Sequence, residues 1–447
     1  MQEQCVLTHV KQHKSKRVFK RKPCLLLIGF IAALILLRDI GGMAVSRYVF
    51  ISVAALICLL SDKSRIYCLL AFLTPLAPGI SCTYITAIAL VILLCKQKRL
   101  KVQTLGFCSM VILLLMELFS AFRGLFSIVE YLRFTGIFLF SFLRMVDINE
   151  DYDNIAMLHG YLFGFWMAMT SVLGQMLKEY SLSEFLLLGV RFGDTRQQLG
   201  IVSESMQVSY NPNELGFLCL LSALFCLLLY RKSKKKWYLL SFCGASLLGI
   251  MTQSRVFILV YAMGIILYAL FCCNSVKAVF RSIVALAIGS AVIIHMAVWL
   301  IPEYLVSFLR RFQVADITNS RLGIMEYYFH EMSQHIDRLL IGVGLQRYQE
   351  KYGYLMSAHN ATQEVMITWG LISLLAVVIL FVGIFFNAHV HNPKARLVQY
   401  VPLIIYLVAI QSGQGFSDTA SMLRIMVAYS AILLNLRGED NSFDSLK

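Results

Sequence analysis

Residues 211–230 read NPNELGFLCLLSALFCLLLY, and residues 231–236 follow directly as RKSKKK. After Glu214 the first stretch carries no charge, and it is long enough to cross about 30 Å of hydrocarbon as a helix. The basic run behind it is typical of a loop that stays in the cytoplasm. Apolar blocks with basic borders recur along the chain, so the sequence predicts an all-α, polytopic transmembrane helical bundle.

The composition agrees with a membrane protein. The chain of 447 residues is 59% hydrophobic and 15% charged, with a mean hydropathy of +0.72. A soluble domain carries about 25% charged residues. The blocks are continuous rather than alternating, which favours helices over a β-barrel. The predicted spans are 24–41, 47–61, 66–95, 104–122, 125–144, 155–177, 211–230, 237–253, 255–273, 280–301, 363–386, 397–414 and 419–436.

The net charge of +15 does not indicate nucleic-acid binding. Basic residues cluster at 11–22, 96–101 and 231–236, where each cluster borders an apolar block and lacks interleaved aromatic residues. Such clusters are typical of cytoplasmic loops. The charge therefore indicates topology, and no nucleic-acid partner is expected.

Block 66–95 is interrupted at Pro75, Pro78 and Gly79, and it is too long for one span yet short for two. If it forms a tight hairpin, every basic loop falls on the cytoplasmic side. This interpretation predicts about fourteen crossings with both termini in the cytoplasm; twelve is the alternative. The sequence shows no counterpart to this interruption in the second half of the chain.

Two polar stretches are predicted to lie outside the membrane. The longer one contains six basic and six acidic residues, and such a neutral loop can be translocated. Helical spacing within it predicts an amphipathic helix through Arg321, Met325, Tyr328, Met332, Ile336 and Leu339. The predicted organisation is a cytoplasmic basic tail 1–23, transmembrane helices 24–178, an external loop 179–210, transmembrane helices 211–301, a large external loop 302–361, transmembrane helices 362–436 and a cytoplasmic tail 437–447.

Motifs for metal or nucleotide chemistry fail on spacing. His330 and His335 stand at i, i+5, whereas a zinc-protease helix needs i, i+4. The pair Gly342 and Gly344 is followed by Arg347 where a dinucleotide fingerprint needs glycine. The cysteines show no zinc spacing. We therefore expect no metal and no cofactor.

Polar residues accumulate at the predicted external helix ends. Arg196, Arg255 and Arg321 lie in three separate stretches, and His359 and Asn360 end the large loop. Arginine binds phosphate with two parallel hydrogen bonds, and histidine accepts protons near neutral pH. A single interfacial arginine is equally well explained by contact with lipid headgroups. The convergence of four stretches favours a functional site.

The order of these motifs resembles the O-antigen polymerase and O-antigen ligase superfamily, which are bacterial lipid-linked glycan transferases of the GT-C type. The resemblance rests on Arg196, the Asn211-Pro-Asn213-Glu-Leu-Gly216 span start, the Thr252-Gln-Ser-Arg255 turn, Ser320-Arg321, Gly342-Val-Gly344 and His359-Asn360 followed by Gly370. It covers roughly residues 190–375 specifically and the whole chain in topology.

The resemblance implies a role for each site residue. Arg196 and Arg255 would hold the pyrophosphate of an undecaprenyl-diphosphate-linked glycan, and Arg255 would also neutralise charge on the departing oxygen. Arg321 would assist or order the loop. His359 would accept the proton of the attacking hydroxyl, with Asn360 positioning it.

Two alternatives remain open within this site. Arg191 replaces Arg196 as phosphate ligand in one of them, since both lie in the same loop. Asn211 and Asn213 either position substrate or form an ordinary helix start, with Asn211 as the cap and Pro212 in the first turn.

The resulting expectation is a polymerase of lipid-linked repeat units on the external face of the bacterial cytoplasmic membrane. Its partners would be the lipid-linked glycan, membrane lipid, a chain-length regulator and a flippase. The alternatives are a ligase that moves finished glycan to a lipid or protein acceptor and a lipid-linked-sugar transporter or flippase. Charges within the predicted spans fall at Glu117, Glu130, Arg133, His159 and His295. Such charges mark functional sites by default, but here they are interpreted as packing or cavity-lining residues. Glu130 and Arg133 are expected to pair on one helix face.

Overall fold

The computed structural model describes most of the chain. The described residues are 26–96, 101–122, 128–148, 152–187, 189–193, 210–272, isolated positions between 275 and 299, 302–310, 312–313, 321–344, 359–413 and 419–436. Both predicted cytoplasmic tails and most of the predicted first external loop lie outside them. The described residues form helices and contain no β-strand, which confirms the all-α prediction.

The described residues form seventeen helices, numbered here in chain order. Their bounds are α1 26–39, α2 Arg47–Leu60, α3 Lys63–Leu73, α4 Cys82–Lys96, α5 Thr104–Phe122, α6 Ile128–Val146, α7 Asn154–Glu179, α8 Leu182–Leu187, α9 Pro212–Ser233, α10 Trp237–Met251, α11 Arg255–Cys272, α12 Pro302–Arg310, α13 Arg321–Ser333, α14 Ile336–Ile341, α15 Ala361–His391, α16 Leu397–Ala409 and α17 Thr419–Ile432. Residues Thr74–Gly79 and Ile410–Ser412 form 3-10 turns.

Four of these helices, α7, α9, α11 and α15, are long and apolar enough to cross a membrane. Other apolar helices have 10–17 residues within the described segments, among them α2, α4, α10 and α16. At about 1.5 Å per residue, such helices fall short of a hydrocarbon core of about 30 Å. The predicted spans therefore correspond to helices of two lengths.

Helix α9, the helix of the opening stretch, lies at the centre of the bundle. In its most apolar window 78% of the residues are buried, and it packs against α7, α10, α11 and α16. A helix that is apolar on every side is expected to be surrounded by other helices. In the neighbouring helix α11 only 22% of the residues are buried, so α11 lies at the periphery of the bundle.

The predicted interruption at Pro75, Pro78 and Gly79 coincides with the 3-10 turn Thr74–Gly79, which joins α3 to α4. The turn packs against α7 and α17. Proline removes a backbone donor and cannot continue the α-helical ladder, so the chain reverses here. Arg38 at the end of α1 donates a hydrogen bond to the Gly79 carbonyl and so fastens the turn to the first helix.

The second half of the chain also contains a broken helix, which contradicts the expectation that Pro75–Gly79 has no counterpart. Helix α15 is interrupted at Gly370, where φ is 79° and ψ is −178°. No proline marks this position, and the surrounding residues are apolar. The break depends on contacts with a distant segment, which local sequence signals do not reveal.

The predicted amphipathic helix of the large loop is two helices, α13 and α14, separated by Gln334 and His335. His335 is extended, with φ −133° and ψ 91°, so the helix stops and restarts there. Residues of both helices pack on α15 in a small hydrophobic cluster of their own. Its buried members are Ile324, Tyr328, Met332, Val343 and Ile367.

Candidate functional site

Arg191 fastens a part of the first predicted loop to the helical bundle. Its Nε donates to the Thr252 carbonyl at 3.0 Å, and its Nη2 lies 3.5 Å from Asn213 Oδ1. The next residue, Phe192, donates its backbone N–H to the Met251 carbonyl at 2.8 Å. Arg191 therefore lies between the turn that precedes α11 and the first turn of α9.

Thr252, Gln253 and Ser254 form a buried, hydrogen-bonded turn, and Arg255 after them is partly buried. Gln253 adopts a left-handed backbone with φ 50°, and its Nε2 donates to the Gly189 carbonyl at 3.0 Å. The Thr252 hydroxyl donates to the Gly249 carbonyl at 2.6 Å. These bonds fix the point at which α11 begins, and Arg255 is the first residue of that helix.

Asn211 caps α9, as the ordinary-helix-start interpretation predicts. Its Oδ1 accepts the Asn213 N–H at 2.9 Å, and Pro212 occupies the first turn. Asn213 differs, because its side-chain oxygen faces Arg191. A Cβ at Gly216 would lie 3.4 Å from the Ser254 Cβ, so the starts of α9 and α11 are in close contact.

His359 and Asn360 lie at the start of α15. His359 has a left-handed backbone with φ 50°, which few residues other than glycine adopt. Asn360 caps the helix by accepting the Gln363 N–H at 2.9 Å, and its Nδ2 donates to the Gln411 carbonyl at 3.0 Å. The Thr362 hydroxyl donates to Gln411 Oε1 at 2.8 Å. Asn360 therefore fixes the place where the chain leaves His359 and enters the helix.

The loop helix α13 lies against the start of α15. Gln363 Nε2 donates to the Met325 carbonyl at 2.8 Å. Arg321 begins α13 one turn before Met325, so its backbone lies near the segment that begins at His359. The side chain of Arg321 and the whole of Arg196 lie outside the described residues.

The arginine group (Arg191 and Arg255) and the histidine group (His359 and Asn360) lie at the same end of the bundle. Gln411 and Gly413 follow the end of α16, and a Cβ at Gly413 would lie 3.4 Å from the Phe217 ring on α9. The Phe217 and Tyr406 rings meet edge to face, with centroids 6.3 Å apart. Since Phe217 follows Asn213 by one turn, α9 and α16 connect the two groups.

Tyr304 adds a hydroxyl that the sequence did not single out. It lies on α12 and donates to the Met251 carbonyl at 2.7 Å. Burial raises the pKa of its phenol to about 12, and a hydrogen bond with Gln253 and the charge of Arg191 act in the opposite direction. Tyr304 is therefore a neutral donor at physiological pH.

A second set of charges missed by the sequence analysis lies beside the start of α9. Arg38 and Asp39 form a buried ion pair with an N–O distance of 2.6 Å, and Ser171 donates to Asp39 at 2.5 Å. Burial raises the pKa of the Tyr210 phenol, the Asp39 carboxylate raises it further, and the guanidinium groups of Arg38 and Arg424 lower it. Arg424 is only 1% exposed although it lies within an apolar helix. Their position inside apolar blocks is the sequence signal that could have revealed these charged residues.

The predicted pairing of Glu130 with Arg133 is confirmed. The carboxylate and guanidinium of these residues lie 2.5 Å apart on α6. Arg133 also stands over the Tyr84 ring, at 5.6 Å from its centroid. His159 contacts the Tyr238 hydroxyl at 2.5 Å, and Glu117 accepts from the Trp369 indole. All the predicted intramembrane charges except His295 are thus seen to contact protein partners.

Among the described residues, no three histidine, cysteine, aspartate or glutamate side chains come together as a metal site would require. A comparison of the sequence with protein-family models and with curated proteins gives no match.

Proposed function

We propose that this chain is a glycosyltransferase that polymerises undecaprenyl-diphosphate-linked oligosaccharide units into O-antigen, capsular polysaccharide or exopolysaccharide. The observation that carries the proposal is the meeting of two arginines with the start of α9, at the same end of the bundle as His359. Arg191 contacts Asn213, and Arg255 begins the helix that packs on Gly216. The resemblance of the motif order to the O-antigen polymerase and ligase superfamily gives the substrate class.

The proposed chemistry uses groups that these residues provide. The acceptor sugar hydroxyl attacks the anomeric carbon of the lipid-linked glycan, and the bond from that carbon to the diphosphate oxygen breaks. His359 takes the hydroxyl proton, and the lipid diphosphate leaves with the bonding electrons. Arg255, with Arg191 or Arg196, neutralises the charge on the departing oxygen. Because diphosphate is a good leaving group, the reaction requires neither ATP nor a cofactor.

The polar loops are placed on the external face of the bacterial cytoplasmic membrane in this proposal. With twelve to fourteen crossings and both termini in the cytoplasm, the basic clusters at 96–101 and 231–236 also lie in the cytoplasm, as the positive-inside rule requires. The glycan end of the lipid then reaches the arginine and histidine groups from outside. A chain-length regulator and a flippase are the expected protein partners.

The proposal is tested by reconstituting the purified protein with its own lipid-linked repeat units, without ATP or divalent metal. Products are resolved on a gel beside His359→Ala and Arg255→Ala. A ladder from the wild type that both variants lose supports a polymerase with this site. Transfer of glycan only when a second lipid or protein acceptor is added would identify a ligase instead.

A transporter or flippase is the second candidate, and the break in α15 is the observation that favours it. Interrupted helices often line the substrate path of transporters, and the buried Glu117 contacts this break through Trp369. Lipid-linked units that cross the bilayer without being joined would establish this function. A transporter would lose activity on Glu117→Gln, whereas the transferase is expected to lose it at His359 and Arg255.

A further inference from the structure

The break in α15 is closed by a segment from the large loop. Beyond Gly370 the helix ladder is interrupted, and the carbonyls of Ile367 and Thr368 face the chain that follows α14. Val343 N–H donates to Ile367 at 3.0 Å, and Gly344 N–H donates to Thr368 at 2.8 Å. Gly342 lies so close that a Cβ there would collide with the Thr368 carbonyl. The Gly342-Val-Gly344 motif thus replaces the missing helical bonds.

These bonds join the loop helices to one part of α15. Residues 361–369, the leading segment of that helix, carry the apolar side chain of Ile367 against Tyr328 and Met332. Gln363 adds a hydrogen bond to α13. The leading segment, α13 and α14 therefore pack as one unit, and His359 and Asn360 stand at its beginning.

A buried hydrogen bond anchors the other end of the leading segment to the bundle. Trp369 Nε1 donates to Glu117 Oε2 on α5 at 2.6 Å. Glu117 is 5% exposed and Trp369 is 1% exposed. The Trp369 ring also packs on Phe134 of α6, with centroids 5.3 Å apart. Asn360 and Thr362 hold the beginning of the segment to Gln411, so both ends are fixed.

We propose that Glu117 and Trp369 are positioning residues that hold His359 in place for the proposed transfer reaction. This inference rests on the proposed function. Ten helical residues span about 15 Å, so Trp369 does not reach the atoms that react at His359. A rotation of the leading segment at Gly370 would nevertheless move His359, and displacements of about 1 Å are sufficient to slow catalysis about a hundredfold.

The test compares initial rates over a range of lipid-linked donor concentrations. Trp369→Phe removes the indole N–H and keeps an aromatic ring beside Phe134, and Glu117→Leu removes the acceptor. Glu117→Gln keeps an oxygen that accepts the same bond. Trp166→Phe is the matched control, since Trp166 donates an equivalent 2.8 Å bond to Ser241 elsewhere in the bundle. Hydrogen exchange of residues 361–369 is measured on the same samples, so that the anchoring is tested without reference to activity.

We expect Trp369→Phe and Glu117→Leu to lower kcat at least about tenfold with the donor KM changed less than about twofold. Exchange of the leading segment should rise in both. Glu117→Gln and Trp166→Phe should match the wild type in each measurement. Wild-type kcat and exchange in Trp369→Phe, or equal defects in Glu117→Gln and Glu117→Leu, would overturn the inference. If the wild type forms no ladder of products, the proposed function fails. Independently of that result, unchanged hydrogen exchange of residues 361–369 in Trp369→Phe would reject the anchoring role of the Trp369–Glu117 bond.

Discussion

The Nε of Arg191 lies 3.0 Å from the carbonyl oxygen of Thr252. This bond fastens the segment that follows α8 to the turn that starts α11. It also directs the rest of the guanidinium towards Asn213 at the α9 start. Arg191 is thus held by protein contacts between the start of α9 and the start of α11.

Substitution of Arg255 tests whether activity needs the paired N–H donors of its guanidinium or only its positive charge. Arg255→Lys keeps the charge and loses the paired donors, whereas Arg255→Gln loses the charge. A hydrogen bond to a charged group contributes about 1.5–3 kcal/mol, so the kcat/KM of Arg255→Lys should fall about 10- to 150-fold. The kcat/KM of Arg255→Gln should fall further than that of Arg255→Lys. Arg47→Gln is the control, because Arg47 is exposed on α2 beside Tyr48 and takes part in no step of the proposed reaction; an equal loss in Arg47→Gln would reject a specific role for Arg255.

The variant His359→Asn separates the backbone role of residue 359 from the chemical role of its side chain. Asparagine tolerates a left-handed backbone better than most residues, so His359→Asn should fold while it lacks a proton acceptor. We expect this variant to retain wild-type thermal stability and to lose at least about a hundredfold in rate, as general-base catalysis contributes about 10²–10⁴. His330→Ala on the exposed face of α13 should be active. Wild-type rates in His359→Asn would remove His359 from the mechanism.

Gly370 and Gly323 provide a matched pair for the break in α15. Alanine at Gly370 is strained because φ is 79° and because its Cβ would collide with the Leu340 carbonyl. A residue other than glycine held at φ 79° and ψ −178° costs about 1–3 kcal/mol, and the collision adds to it. Gly323 lies within α13 with open space around its Cβ position, so Gly323→Ala should be neutral or stabilising by up to about 1 kcal/mol. Thermal unfolding in detergent distinguishes the two, and equal midpoints would show that α15 tolerates an unbroken helix.

Asn360 has two separable bonds. Asn360→Asp keeps the cap on Gln363 and loses the donor to Gln411, whereas Asn360→Ala loses both. Loss of a helix cap costs about 1 kcal/mol, so Asn360→Ala should unfold at a lower temperature than Asn360→Asp. Both variants lose the Asn360 bond to the Gln411 carbonyl, and both should lose activity if that bond places His359. Full activity in Asn360→Asp would mean that the cap alone suffices.

Local patterns identified the elements of the site but not their mutual arrangement. Asn211 and Pro212 predicted the start of α9, and the structure has the cap in place. By contrast, the role of Asn213 beside Arg191 depends on two segments that are distant along the chain. The contributions of Tyr304 and Gln411 also arise from folding, because a single tyrosine in a polar loop or a single glutamine near the end of an apolar block carries no local signal.

The sequence by itself determined the helical class and the positions of the apolar blocks, because hydrocarbon-length apolar runs satisfy their backbone only as helices. It also determined the Pro75–Gly79 turn, since proline acts on its own backbone. Only the tertiary structure decided the break at Gly370 and the burial of Glu117 with Trp369. These depend on hydrogen bonds between residues far apart in the chain, and such bonds leave no periodic signal in either segment.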